Sequence, residues 1–407
     1  MDLHWLLTVS TDNSDGGQNN LVMIAISLLT RLCSADYSVS SFLREKLRIQ
    51  ATLTDLLTSV PLTNHSKSAK ILDLLRHVTF KIRLQRQEAF LQDLISRLFE
   101  HINGKDEKQK NISMSLAILA SLCHASYSVT SFVLNLISPE ERKALMVKNV
   151  DDPVIQVLLL RFNFSLTRAN LSSQLQDNVG HYVSQMLDAV CHTYGEEDCL
   201  LLQIYCDFLK DLGKEPRHRE DLQRSISLEF IQQVFLVLDY SEGCNRANEL
   251  IFRFAREAVS FYAGDIHSLL DLIVRTISAR LESNISSAKP ASVPDCYEAI
   301  MLLEFMLRTV KMQIEEAPEE MSTSQTQNVK LLLEQIVPVL CDLFVKDPMD
   351  RNSASDIDAI DQLERTTRTY TAILVTMSTI GEKEDWVDVI SKQVNIVQFL
   401  KFGESYS

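Results

Sequence analysis

Apolar residues recur along this chain at helical spacing, in blocks separated by short polar breaks. One block, Leu116 to Phe132 (LAILASLCHASYSVTSF), repeats another that lies ninety residues earlier, Ile26 to Phe42 (ISLLTRLCSADYSVSSF). Leu29, Leu32, Cys33 and Ala35 return as Leu119, Leu122, Cys123 and Ala125. Tyr37, Ser38, Val39, Ser41 and Phe42 return as Tyr127, Ser128, Val129, Ser131 and Phe132. Each copy predicts an apolar helix, a short polar break, and a second helix opening on a Ser-rich turn. Small and aromatic positions match as well as apolar ones, so the likeness exceeds that of two unrelated helical hairpins.

Ninety residues is two periods. Ile71 to Phe90 has the same shape between the copies, and Leu158 to Leu175, Leu202 to Leu212 and Asn248 to Phe261 continue it. One position is expected to be buried in all six repeats: Leu32, Val78, Leu122, Leu166, Leu209 and Phe254, at spacings of 46, 44, 44, 43 and 45 residues. A helical period of about 40–47 residues marks armadillo or HEAT repeats. A single helical pair or triplet cannot bury its own apolar face, so stacked neighbours bury it for one another. The expected fold is therefore all-α, an armadillo/HEAT-like right-handed helical solenoid. Scarce glycine and proline (10 and 9 of 407 residues) suits helices joined by short turns.

The pattern divides the chain into three parts. Residues 1–20 read as an N-terminal cap or flexible segment, with the polar break at 10–20 as loop. Residues 21–282 read as about six repeats with a period of about 44. Residues 283–407 read as irregular C-terminal repeats with an acidic loop at 315–327 and a terminal dimerisation region. Within the repeats, Gly104 is expected to cap the helix over 90–102. Ser138-Pro139-Glu140-Glu141 has the residues of a helix start, and the charged segment 213–221 reads as a hinge. The last helix, from about Asp385 to Phe402, is apolar and carries Trp386. It either packs inward as a last layer or meets another chain.

The net charge of −14 argues against a surface built mainly for phosphate backbones, and no direct nucleic-acid binding is expected. Lys81, Arg83 and Arg86 form a local basic group that reads as a solvated helix face. The N-terminal stretch has no basic start and only a short apolar run, unlike a secretory signal. No stretch of eighteen apolar residues is present, so no membrane partner is expected. The eight cysteines are scattered, several on apolar faces, which reads as reduced, buried thiols.

Candidate chemistry is sparse. The chain has no phosphate loop, no GxGxxG, no GxSxG and no HExxH. Cys191, His192, Cys199 and Cys206 lack the paired spacing of a structural zinc site, and no cofactor is expected. His77 sits at the edge of an apolar face, where a packing or capping role is expected. The expectation is a protein that is not an enzyme and that binds through its repeats. The last helices of the repeats form a ladder that offers a groove to an extended peptide or a partner helix.

The block LFEHINGKDEKQKNISMSLAILASLCHASYSVTSFV (98–133) resembles the third-repeat region of the cancerous inhibitor of protein phosphatase 2A family. Leu72 to Lys81, Val157 to Leu175 and Tyr205 to Phe230 extend the likeness in register, over roughly 20–280. The resemblance implies an armadillo-type array that homodimerises through its C-terminal end. It implies binding to regulatory subunits of protein phosphatase 2A, opposing their action. It also implies a BRCT-domain DNA-damage scaffold as partner, the two together tethering broken chromosomes in mitosis. The expected location is cytoplasmic, with access to mitotic chromosomes or the nucleus. The resemblance favours a partner-facing last helix, with Trp386, Val389, Ile390, Val394, Val397, Phe399 and Leu400 at the dimer interface. Two departures are visible: the start lacks part of the family's first repeat, and no sustained heptad tail is present. Functions that need a coiled coil are not carried over. The alternative is a generic armadillo adaptor that binds an extended peptide in transport or cytoskeletal organisation. The Asn and Trp ladders of an import receptor's peptide groove are absent, since Trp5 and Trp386 are the only tryptophans.

Overall fold

The computed structural model describes residues 16–84, 89–104, 108–149, 151–169, 179–239, 246–285, 298–299, 301–306 and 308. All the regular structure among them is helical, and the chain separates into two compact units, residues 1–192 and 193–407.

In the first unit the helices are α1 (Gly16–Ala35), α2 (Tyr37–Glu45), α3 (Gln50–Ser59), α4 (His65–Thr79), α5 (Phe90–Asn103), α6 (Gln109–Ala125), α7 (Tyr127–Leu136), α8 (Pro139–Lys148) and α9 (Pro153–Ala169). α1, α4, α6 and α9 are the first long helices of successive repeats, and each packs on the next. The short α2 rests on both α1 and α4, and α7 rests on both α6 and α9. The last helices α3 and α5 lie side by side and return to α4 and α6.

This arrangement explains why α6 is apolar on every side. It is covered from both neighbouring repeats, and Met114, Leu116, Ile118, Leu119 and Leu122 are all essentially inaccessible to solvent. Each such side chain contributes about 1.5–3 kcal/mol by leaving water. Small residues Ala117 and Ala120 are buried between them, letting adjacent helices approach.

Polar ties across the repeats have sequence separations close to the period. Arg44 Nη1 donates to the Phe80 carbonyl at 2.9 Å, and Arg97 Nε donates to the Leu57 carbonyl at 3.2 Å. A second Arg97 bond reaches the Val60 carbonyl. Asn111 Nδ2 reaches the His65 carbonyl, and Arg161 reaches Ser121 Oγ. Helix starts are capped by short polar side chains: Asp36 accepts from the Ser38 amide, Asn64 from Lys67 and Ser126 from Val129. At Ser138 the hydroxyl takes the Glu141 amide while the Glu141 carboxylate takes the Ser138 amide, a full capping box with Pro139 in the first turn.

The second unit holds α10 (Val179–Gly195) in part, then α11 (Cys199–Leu212), α12 (Pro216–Ser225), α13 (Leu228–Leu236), α14 (Arg246–Val259) and α15 (Ile266–Ile285). α11 packs on α14 as α4 does on α6, and α13 packs on α14 and α15. Phe230 meets Phe254 and Phe235 meets Phe252, with ring centroids 6.4 and 5.9 Å apart. Gly213, at the end of α11, lies under the Phe261 ring, where a Cβ would collide with it.

Several sequence expectations are corrected. Val78, Leu122, Leu166, Leu209 and Phe254 are buried, but Leu32 is exposed, because its face of α1 has no described helix in front of it. The glycine-bearing segment read as loop to residue 20 becomes helix at Gly16, since the first turn needs no internal partner for its amides. Gly104 does end α5, but with φ −56° and ψ 133° rather than a left-handed cap. The hinge read at 213–221 is largely α12, which starts at Pro216 and anchors through Leu222 alone. Glu220 and Asp221 pair with Arg224 on its solvated side. Lys81 and Arg83 do not form a helix face: residues 81–84 are non-helical, Lys81 has φ 54°, and Arg86 lies outside the described residues.

Candidate interaction surface

The outward sides of α3 and α5 form the described part of the ladder expected from the last helices. α3 presents Ala51, Asp55, Thr58 and Ser59, and α5 presents Gln92, Asp93, Ser96 and Glu100. Their apolar residues point the other way: Leu53, Leu57, Leu94 and Leu98 are fully buried. The surface is small, polar and acidic. Its guanidinium, Arg97, is mostly buried and is held by Glu100 at 2.7 Å and by backbone carbonyls of the previous repeat. Such a face offers carboxylates and hydroxyls to a polar or basic segment, and no apolar trough.

A second surface forms at the junction of the first two repeats. Arg44 stacks 6.0 Å from the Tyr37 ring, Tyr37 meets Phe80 edge-on at 5.9 Å, and Lys81 lies over Phe80 at 5.1 Å. The exposed Glu45 carboxylate is drawn below its usual range by hydrogen bonds from Arg44 and Ser41. Lys46, Arg48, Lys81 and Arg83 are nearby in sequence, and Lys46, Arg48 and Lys81 are exposed.

The most deeply buried of the described thiols are poorly suited to chemistry. Burial pushes Cys123 up to about 12, against the partial relief of the Thr130 hydroxyl, and pushes Cys206 higher still. Thiolates are the reactive form, so these two side chains act as core. Ser34 Oγ lies 3.2 Å from His77 Nε2, a contact between α1 and α4 that ties adjacent repeats. Among the described residues no group of three His, Cys, Asp or Glu side chains could hold a metal ion. No described helix is long and apolar enough to cross a membrane.

The expected interface residues Trp386, Val389, Ile390, Val394, Val397, Phe399 and Leu400 lie outside the described residues, as does the acidic segment 315–327. Sequence reasoning missed an exposed apolar stripe on α1. Its signal was present in Leu21, Ile24, Leu28 and Leu32, which share one helix face apart from Val22, Ile26, Leu29 and Cys33.

These features define an all-α protein of stacked helical repeats. Its residues 3–148 match the family model described as "CIP2A, N-terminal". The match covers α1 to α8, and so takes in the blocks at 72–81 and 98–133 of the sequence resemblance but not those at 157–175 and 205–230. No curated protein matches the chain.

Proposed function

We propose that this chain is a non-enzymatic scaffold that inhibits protein phosphatase 2A by binding its regulatory subunits. In this reading it homodimerises through its last two helices, with Trp386, Val389, Ile390, Val394, Val397, Phe399 and Leu400 between the copies. With a BRCT-domain scaffold it tethers broken chromosomes in mitosis, acting from the cytoplasm with access to the nucleus. The observation that carries the reading is the family match over 3–148, a range that spans the stacked helices α1 to α8.

Solution mass across a dilution series tests the dimer. A mass near twice 46.3 kDa that falls on dilution supports it. Val389→Asp with Val397→Asp should then yield a helical monomer. A monomer at every concentration, or a double variant that loses its helices, removes the basis for that interface. Retention of the BRCT scaffold on immobilised chain tests the tethering role.

The polar, acidic outer side of α3 and α5 favours a second reading, a generic adaptor that holds an extended basic peptide. Asp55→Lys with Asp93→Lys would abolish such peptide binding while leaving phosphatase inhibition through a different surface intact.

A further inference from the structure

The end of α2 meets the turn after α4. The Arg44 bond to the Phe80 carbonyl holds residues 45–48 beside residues 80–83, and the Arg83 charge acts on the Glu45 carboxylate. Residues 44–48 and 81–83 carry five cations, Arg44, Lys46, Arg48, Lys81 and Arg83, and one carboxylate, in a chain of net charge −14. That carboxylate, Glu45, is taken up by Arg44 at 3.2 Å and Ser41 at 3.1 Å. Arg44 is buried, and the other four cations are exposed. Elsewhere exposed cations are neutralised on their own helix: Lys214 by Asp211, Arg224 by Glu220 and Arg275 by Asp271. Lys46, Arg48 and Arg83 form no salt bridge among the described residues.

Two of these cations also hold an unusual backbone. Arg48 has φ 49° and Lys81 φ 54°, a left-handed region that glycine enters freely and a long side chain enters against steric resistance. Among the described residues Glu197 is the one other non-glycine residue with positive φ. Backbone preference alone favours glycine at both turns, so what Arg48 and Lys81 add is a charge held at a fixed place. Apolar surface lies beside them: Leu47, between Lys46 and Arg48, is 40% exposed, and Phe42, one turn before Lys46, is 54% exposed.

We propose that this junction docks an acidic segment of a partner protein, with Asp or Glu carboxylates on Lys46, Arg48, Lys81 and Arg83 and an apolar side chain against Phe42 and Leu47. Charge complementarity selects the occupant. Clustered exposed cations take carboxylates through charge-assisted hydrogen bonds, while the negative charge of the whole chain repels a long polyanion such as duplex DNA. The surface differs from the outer side of α3 and α5, which attracts the opposite charge, and it stands apart from the phosphatase reading.

The probe is the fluorescein-labelled peptide Glu-Asp-Glu-Leu-Glu-Asp-Phe-Glu, followed by anisotropy against the full chain, with Gln-Asn-Gln-Leu-Gln-Asn-Phe-Gln as its uncharged control. The expected result is saturable binding of the acidic peptide that weakens as salt is added, and none of the control. Arg48→Gly with Lys81→Gly should weaken binding about tenfold through the loss of two charged contacts. The same variant should keep or raise the melting temperature, because glycine relieves both turns; a purely structural role for the two side chains would lower it. Lys46→Gln with Arg83→Gln should also weaken binding about tenfold. Arg217→Ala with Arg219→Ala removes equal charge from exposed positions of α12 and should leave binding unchanged. Absence of saturable binding overturns the proposal, as does equal binding of the uncharged control. So does full affinity in both folded junction variants, or an equal loss in the α12 variant, which would trace binding to net charge alone. A DNA duplex that displaces the peptide and binds more tightly also overturns it, since the junction then serves a nucleic acid.

Discussion

Arg44, in the second helix of the first repeat, donates Nη1–H to the carbonyl of Phe80, the residue that ends the first helix of the next, at 2.9 Å. The guanidinium is 8% exposed, and it also bonds Ser41 and packs on Tyr37. One side chain thus takes up a helix-terminal carbonyl, fixes the aromatic contact between Tyr37 and Phe80, and sets the spacing of two repeats. Arg44→Ala should destabilise the chain by about 1–3 kcal/mol, since a buried acceptor loses its donor. Arg44→Lys should restore only part of this, because an ammonium cannot keep the forked contact. Urea unfolding of both variants reads the difference, and an unchanged midpoint in Arg44→Ala would contradict the tie.

Leu32 and Leu122 occupy the same position of the repeat, yet one is exposed and the other sealed. Leu122→Ala should cost about 2–5 kcal/mol, the usual result of opening a cavity in a close-packed core. Leu32→Ala should cost less than about 1 kcal/mol, as for a side chain at the edge of the array. Equal losses in thermal unfolding would show that the first repeat is covered as fully as the third.

The thiols should separate by burial. Cys123 and Cys206 should resist a thiol reagent at neutral pH until the chain unfolds, because burial disfavours their thiolates. Cys191 and Cys199, which are only partly covered, should react before them. Mass-spectrometric mapping of the labelled positions over time checks the order. Labelling of Cys123 ahead of Cys191 in the folded chain would contradict it.

Glu249 should make the second unit pH-sensitive. Burial raises its carboxyl to about 7, with Arg280 working in the opposite direction at 2.7 Å and the nearby Glu298 carboxylate raising it further. The folded pKa lies above the unfolded value, so the folded state binds the extra proton. That contribution is complete below about pH 4.5 and is lost as pH rises through about 7. Between these limits stability should fall by up to about 3 kcal/mol on this account, since a tenfold change in proton affinity corresponds to about 1.4 kcal/mol. Glu249→Gln keeps the shape and removes the titration, so the difference in unfolding free energy between parent and variant should change with pH over this window. A difference independent of pH would mean that Glu249 remains ionised.

The repeat was legible because stacking imposes the same demand every 44 or so residues: an apolar long helix with small residues where neighbours approach. Leu116 to Phe132 states it most fully, since α6 is covered on both sides. Exposure of Leu32 was not legible, because burial at that position depends on the layer in front and not on the residue. α12 was missed because only Leu222 is buried in it, and its charges suit a solvated helix as well as a hinge. Ser138 was legible because capping is local: its hydroxyl, Pro139 and Glu141 act within one turn. The acidic side of α3 and α5 emerged only when the two helices were placed together.

The most direct test of the proposed function is titration of the purified chain against a purified regulatory subunit of protein phosphatase 2A, with dephosphorylation by the corresponding holoenzyme followed in parallel. The account predicts saturable binding and a fall in holoenzyme activity over the same concentration range. No binding by a folded, helical chain, or binding that leaves dephosphorylation unchanged, would contradict the inhibitory scaffold and leave the adaptor reading in its place.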